Sequence, residues 1–230
     1  MKNKIILLLI IFISIIYVIL VINKNTNIQK DESNNILQTI AKDTGYVIQN
    51  KNYKYENSKL EIYYPVTNYQ VLNNEINKFI ETDTNNFKKE VKNTSINDEY
   101  IYNLNFDYYE TKSNITIVFH SFINIKLAHP LINVKTINYN KEIDKIETIY
   151  NYIERDEKFI DKVKKEVYSD LVKNNIYKDE TLKKYLKESL NSGIDIFKDY
   201  IVTEEGITFI FKQYKVAPYI YGELQSSIKL

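Results

Sequence analysis

The sequence predicts an α+β fold, antiparallel sheet with packed helices, preceded by a single N-terminal transmembrane helix. Two periodicities and one apolar run predict it. Period-two alternation recurs in consecutive segments between Tyr100 and Tyr139, whereas the segments after Gln70, Glu157 and Thr181 carry apolar residues at three- and four-residue spacing. The first pattern puts alternate side chains on opposite faces of a strand, and the second gathers them on one face of a helix. Strands flank helices without strict alternation, which points to α+β rather than to a doubly wound parallel sheet. The run is Ile5 to Ile22, apolar throughout except for Ser14 and Tyr17.

At about 1.5 Å per residue those 18 residues extend about 27 Å as a helix. That is enough to cross a hydrocarbon core of about 30 Å with local adjustment, so a lipid bilayer is the first partner expected. Lys2 and Lys4 precede the run, and the positive-inside tendency keeps residues 1–4 as a cytoplasmic tail with the C-terminal part outside. Lys24 and Lys30 reduce that contrast. A secretory signal has an apolar core of roughly 7 to 15 residues and a small-residue cleavage site. Here the run passes into Val-Ile-Asn-Lys-Asn-Thr-Asn, with no Ala-x-Ala. An uncleaved, single-pass anchor in the cell membrane, residues 5–22, is the favoured reading; secretion after signal cleavage is the alternative. Residues 23–43 are polar and read as a tether.

A single domain is expected over residues 44–230. Tyr46 to Tyr55 and Leu60 to Val66 are Tyr-rich extended segments separated by Asn57-Ser58, which suggests a hairpin. Leu72, Ile76, Ile80, Phe87 and Val91 then form the stripe of an amphipathic helix of about 20 residues. Tyr100, Tyr102, Leu104, Phe106 and Tyr108 share one face of a half-buried strand, and Ile115, Ile117, Phe119, Ile123 and Ile125 repeat the alternation after a turn at Thr111 to Ser113. A third extended stretch, Leu131 to Tyr139, completes a meander. Glu142 to Ile153 is expected to be a short helical link, followed by helices over Glu157 to Lys173 and Thr181 to Leu190, with Gly193 as terminator. Phe197 to Val202, a turn at Glu204-Glu205-Gly206, the strand Ile207 to Phe211 and an extended piece from Glu223 close the chain.

Composition excludes several classes of function. Of 31 basic residues four precede Asp31, leaving 27 against 30 acidic ones, so the external part is slightly acidic and no nucleic-acid partner is expected. The chain has no cysteine, hence no lipidation site, disulfide or thiolate chemistry. His120 and His129 are the only histidines, and no His-Glu-x-x-His occurs, so no metal site is assigned. His120 shares parity with Thr116 and Val118, opposite the isoleucines, which gives it a surface or hydrogen-bonded structural role. His129 precedes Pro130 at a strand-loop junction, where an imidazole serves structure or a partner contact. There is no Gly-x-Ser-x-Gly elbow, and with four glycines no Gly-rich phosphate cradle. Most acids fall on predicted helix surfaces, for instance Glu157, Asp161, Glu166 and Asp170, where they read as a solvated face. No catalytic residue and no cofactor are assigned, although a carboxylate pair of the kind glycosidases use stays open. The 21 tyrosines offer rigid, amphipathic surface for sheet packing, interfaces or stacking on sugar rings.

The stretch Gly206-Ile-Thr-Phe-Ile-Phe-Lys-Gln-Tyr-Lys-Val-Ala-Pro-Tyr-Ile-Tyr-Gly222 resembles the closing strand, Ala-Pro-Tyr segment and following glycine of the PdaC/RsiV-like extracellular domains. Ala128-His129-Pro130 with the strand after it, and Leu60-Glu-Ile-Tyr-Tyr-Pro65 before an Asn-rich helix, resemble the same family in the same order. Its members stand in front of a peptidoglycan deacetylase domain, or form the outer part of a membrane anti-sigma factor that binds lysozyme. The resemblance implies the external domain alone on an anchor, without the deacetylase or sigma-binding parts. It also implies a non-catalytic function, recognition of a lysozyme-like protein or of peptidoglycan glycan. Physically, Pro218 fixes its own φ and drives Ala217 towards extended geometry, while Gly222 permits a sharp change of direction. The candidate binding residues are His129, Pro130, Tyr214, Pro218 and Tyr219. A glycan calls for a groove with tyrosine floors, and a protein partner for a flat, partly apolar patch. A wall-modifying enzyme calls for two acids in one cleft. A subunit of a separately encoded envelope complex calls for an apolar face left open on the helix from Glu157 to Lys173.

Overall fold

A computed structural model describes residues 45–92, 99–125 and 129–229. The expected cytoplasmic tail, anchor and tether lie outside the described residues. Among those described, no helix is long and apolar enough to cross a membrane. The chain divides into two units: residues 1–47 with 66–68, and residues 48–65 with 69–230. Only 45–47 and 66–68 of the first are described; the second holds the fold and the site.

The elements run β1 Tyr46–Tyr55, β2 Ser58–Thr67, α1 Gln70–Lys92, β3 Tyr100–Glu110, β4 Asn114–Asn124, β5 Leu131–Asn140 and β6 Lys145–Glu147. Then come α2 Ile149–Arg155, α3 Phe159–Leu171, a 3-10 turn Asn175–Lys178, α4 Glu180–Leu190 and a 3-10 turn Ile194–Phe197. β7 Tyr200–Val202, β8 Gly206–Phe211, a 3-10 turn Tyr219–Tyr221 and β9 Leu224–Lys229 end the described chain. Strands β1 to β6 form one sheet in sequence order, and β7-β8-β9 form a second. The α+β class and the antiparallel meander β3-β4-β5 are as expected.

Five local expectations are corrected, four in pairing and turns and the fifth in the packing of β4. First, β2 and β3 pair parallel, Ser58 opposite Tyr100 and Ile62 opposite Leu104, so the large sheet is mixed. Parallel neighbours need a long crossover, and α1, about 34 Å long at 1.5 Å per residue, supplies it. Second, the stretch from Glu142 is not helical at its start. The Asn140 carboxamide oxygen accepts the Glu142 and Ile143 N–H groups, and Asp144 takes φ 51°, which turns the chain into β6 before α2 begins. Third, α4 ends at Asn191, whose amide donates to the Lys187 carbonyl; Gly193, at φ 148°, instead turns the chain into the next 3-10 turn. Fourth, the first turn falls at Glu56 and Asn57, because Ser58 already belongs to β2.

The large sheet is covered on both faces. On one face α1 buries Leu72, Ile76, Ile80, Phe87 and Val91, the predicted stripe, together with Thr84, whose hydroxyl donates to the Ile80 carbonyl. Phe87 packs on Tyr102 at 5.2 Å and Phe79 on Phe119 at 4.8 Å between ring centroids. On the other face Val118 and Val134 meet Ile201 and Ile210 of the small sheet. This corrects the reading of β4 as alternating: Ile115 through Phe119 are all buried, since each face meets a different layer. The outer side of the small sheet carries α2, α3 and α4, with Phe159, Val163, Val167 and Leu171 inside one core with Phe197, Phe209 and Phe211. The apolar face of α3 is thus spent within the fold.

A polar seam joins the two sheets. β7 is short, and its backbone donors find side chains of the other sheet: Tyr200 N–H donates to Thr136 Oγ1 at 3.2 Å, and Val202 N–H to Thr116 Oγ1 at 3.2 Å. Asn138 donates to the Tyr200 carbonyl and accepts from Thr116. Asp199 Oδ1 accepts the Thr136 N–H at 3.1 Å. All four side chains are buried, and an unpaired polar group there would cost about 1–3 kcal/mol, so the seam pins one relative placement of the sheets.

Candidate functional site

The β8-β9 connection carries most of the predicted site residues. Val216 and Ala217 are buried, and Tyr177, wholly inside the core, donates its hydroxyl to the Val216 carbonyl at 2.9 Å. Burial pushes the Tyr177 phenol well above its ordinary range, which keeps that donor protonated. Pro218 adopts φ −56° and ψ 153°, the extended geometry its ring dictates, and Gly222 takes φ 68°, a left-handed value that glycine adopts without strain. Between them the 3-10 turn projects Tyr219, Ile220 and Tyr221. Tyr214 is also left-handed, at φ 64°, and the Tyr185 hydroxyl of α4 holds its carbonyl at 2.7 Å.

The structure brings His129 to this turn. Its ring stacks on Tyr219 at 4.2 Å between centroids and 20° between planes, and Tyr219 in turn leans on Tyr214 at 5.4 Å. Among the described residues the buried Nδ1 of His129 has no hydrogen-bond partner, so stacking is what positions the imidazole. Pro130 leads directly into β5, whose first residues, Leu131 and Ile132, are both exposed on opposite faces of the strand. His120, by contrast, lies elsewhere on β4 and meets Asp107 at 2.9 Å, the structural role expected of it. Tyr214 is 58% and Ile220 84% exposed, high values for large side chains. The result is an apolar, aromatic margin.

Tyr214 also forms one wall of a cleft of about 800 Å³, on whose lining stand Tyr150, Lys198, Lys212, Lys215 and Asp195. The sequence reading missed this cleft, because its walls come from β5, α2, the α4-β7 connection and β8. A local signal existed in retrospect: Lys212 and Lys215 flank Tyr214 inside the motif itself. Gly193 opens the connection that carries Asp195 and Lys198, and a side chain at its φ of 148° would be strained. A smaller cavity of about 240 Å³ shares Tyr150, Asp195 and Lys198 with the first, so the two adjoin at those side chains and are together called the trough.

Two acids, Asp195 and Asp199, line the cleft, the arrangement a hydrolytic carboxylate pair would need. Asp199 is buried and both its oxygens are engaged, one by the Thr136 N–H and the other by Lys212 at 3.3 Å. Asp195 accepts the Tyr150 hydroxyl at 2.9 Å, and that bond, with the carboxylate charge, raises the Tyr150 phenol above its usual range.

Residues 140–230 match the family described as "Protein of unknown function (DUF3298)". Over 171 residues, 72% of this chain, the sequence is 29% identical to the peptidoglycan-N-acetylmuramic acid deacetylase PdaC of Bacillus subtilis strain 168, and the match spans 36% of that protein. In fold the chain is similar to a DUF3298 family protein of Pseudomonas aeruginosa PAO1, with a TM-score of 0.62 at 14% identity over 80% of this chain and 88% of that one. A DUF3298 member from Bacteroides fragilis NCTC 9343 gives 0.50 at 12% identity over the same shares. The resemblance first read from the Ala-Pro-Tyr segment is therefore matched by sequence and by fold.

Proposed function

We propose, from the premise that residues 140–230 carry a DUF3298 domain, that this protein is a non-catalytic module tethered to the cell membrane by Ile5 to Ile22 that binds peptidoglycan glycan outside the cell. The observation that carries the reading is the tyrosine-walled trough, with Tyr150 and Tyr214 on its lining and Tyr219 stacked next to Tyr214. Sugar rings present C–H faces and hydroxyl edges, and exposed tyrosines beside amides and serines complement both. The kinship with a peptidoglycan deacetylase agrees with that ligand class.

A second reading, recognition of a lysozyme-like protein, is favoured by the exposed side chains of Tyr214 and Ile220 beside the His129-Tyr219 stack. One experiment separates the two. The full chain, in detergent, is sedimented with purified sacculi and separately titrated with lysozyme, alongside Tyr219→Ala. Saturable retention by sacculi, weakened about tenfold or more by loss of one hot-spot tyrosine, supports the glycan reading. Lysozyme binding without sacculus binding replaces it with the second. A folded protein that binds neither overturns both.

A further inference from the structure

The electrostatics of the trough define its ligand more narrowly than the tyrosines do. Each acid along it is already engaged: Asp199 with Lys212, Glu147 with Arg155 at 2.8 Å, Glu75 with Lys78 at 3.5 Å, and Asp195 with the Tyr150 hydroxyl. Of the four lysines on the lining, Lys212 is taken by Asp199 and the other three are not engaged. Among the described residues Lys135, Lys198 and Lys215 have no ion pair and no side-chain hydrogen bond, although all three line the trough. In a chain whose part beyond Asp31 is slightly acidic, ammonium groups left unpaired along one concave surface mark a place for negative charge.

The remaining lining fits a sugar that carries that charge. Asn133, Ser189 and Ser192 offer amide and hydroxyl groups for sugar hydroxyls and acetamido groups, and Tyr150 and Tyr214 offer ring faces. A volume of about 800 Å³ lies within the range of small-ligand sites, about 300–1,000 Å³. The second cavity, about 240 Å³, adjoins at Tyr150 and adds Lys135.

We propose that the trough is a binding site for an oligosaccharide bearing a carboxylate, the carboxylate held by Lys198 and Lys215 and the adjoining ring lying along Tyr214 and Tyr150. This rests on the glycan reading above and specifies which unit of the glycan is read. An ammonium-carboxylate contact in a concave site is a charge-assisted hydrogen bond. Its loss lowers affinity about tenfold or more, and its worth falls as salt screens it.

Calorimetric titration of the full chain in detergent tests the assignment with two disaccharide probes that differ by the lactyl group. One is the disaccharide of N-acetylglucosamine and N-acetylmuramic acid with its lactyl carboxylate free; the other is the neutral disaccharide of two N-acetylglucosamines. The acidic disaccharide is expected to bind about tenfold tighter. That margin should shrink at high salt and vanish in the Lys198→Gln/Lys215→Gln double variant. Both lysines are exposed and unpaired, so the variant keeps the wild-type melting curve. Equal affinity for both probes, or discrimination that survives the double variant, overturns the anionic site while leaving glycan binding in place. Retention on sacculi with no response to either disaccharide also overturns it. Absence of sacculus binding as well overturns the function itself.

Discussion

Replacing Asp199 tests whether the buried seam holds the trough together. Its side chain is 4% exposed, Oδ1 accepts the Thr136 N–H at 3.1 Å, and Oδ2 lies 3.3 Å from Lys212 Nζ, which is 23% exposed. Asp199→Ala leaves the Thr136 donor buried and unpaired, a penalty of about 1–3 kcal/mol. It also leaves the Lys212 ammonium without its partner. Breaking a fully buried pair costs about 3–5 kcal/mol, but Lys212 reaches solvent, so only part of that applies. Together these give a loss of about 3 kcal/mol. At about 2–4 °C per kcal/mol for a domain of this size, Tm should fall by roughly 6–12 °C. Asp199→Asn keeps an acceptor for Thr136 and removes only the charge, so its loss should be smaller, about 1–2 kcal/mol. Urea denaturation of the full chain in detergent, followed by far-ultraviolet circular dichroism, measures both. A change below about 0.5 kcal/mol in Asp199→Ala, the range of ordinary surface substitutions, would refute the seam, as would Asn destabilising as much as Ala.

Tyr177→Phe keeps the ring and removes the donor to Val216, stranding a buried carbonyl beside the Ala-Pro-Tyr turn. A loss of about 1–2 kcal/mol in urea denaturation is expected, together with weaker retention on sacculi as the turn loosens. Alkaline pH should unfold the protein cooperatively. Burial raises the phenols of Tyr102, Tyr139, Tyr177 and Tyr200 well above their ordinary value and pushes Tyr152 up to about 12. A raised folded-state pKa contributes stability that is complete below the unfolded value near 10 and is lost as pH climbs through the folded one. Each such tyrosine therefore removes about 1.4 kcal/mol per pH unit above pH 10. Phenolate absorbance should rise in two stages, exposed tyrosines first and the buried set together with the loss of circular dichroism; a single stage near pH 10 in a protein that stays folded would contradict the burial.

How much was legible in the sequence varies by element. The stripe Leu72-Ile76-Ile80-Phe87-Val91 identified α1 because it packs on one partner, and single-sided burial writes itself as a period. The same holds for α3, whose four buried residues are spaced by four. β4 was misread for the opposite reason. Its residues from Ile115 to Phe119 are buried on both faces, so alternation predicted an open face where Val118 meets Ile210. The start of β6 escaped notice because three residues carry no readable period and the turn before it depends on one Asn side chain.

The site divides along the same line. His129, Pro130, Tyr214, Pro218 and Tyr219 were named from local features, prolines and the residues around them, and the structure places three of them together by stacking His129 on Tyr219 and Tyr219 against Tyr214. The trough was not. Lys198 and Tyr150 stand 48 positions apart in the chain, and nothing near either records the other. The sequence by itself determined helix faces, strand parities and the bend at Ala217-Pro218, all of which arise from contacts within a few residues. Only the tertiary structure decided that β2 lies parallel to β3, that the small sheet closes the second face of β4, and that unpaired lysines converge on one trough. Those follow from pairing between distant segments, where the free energy belongs to the assembled surface and to no single stretch of chain.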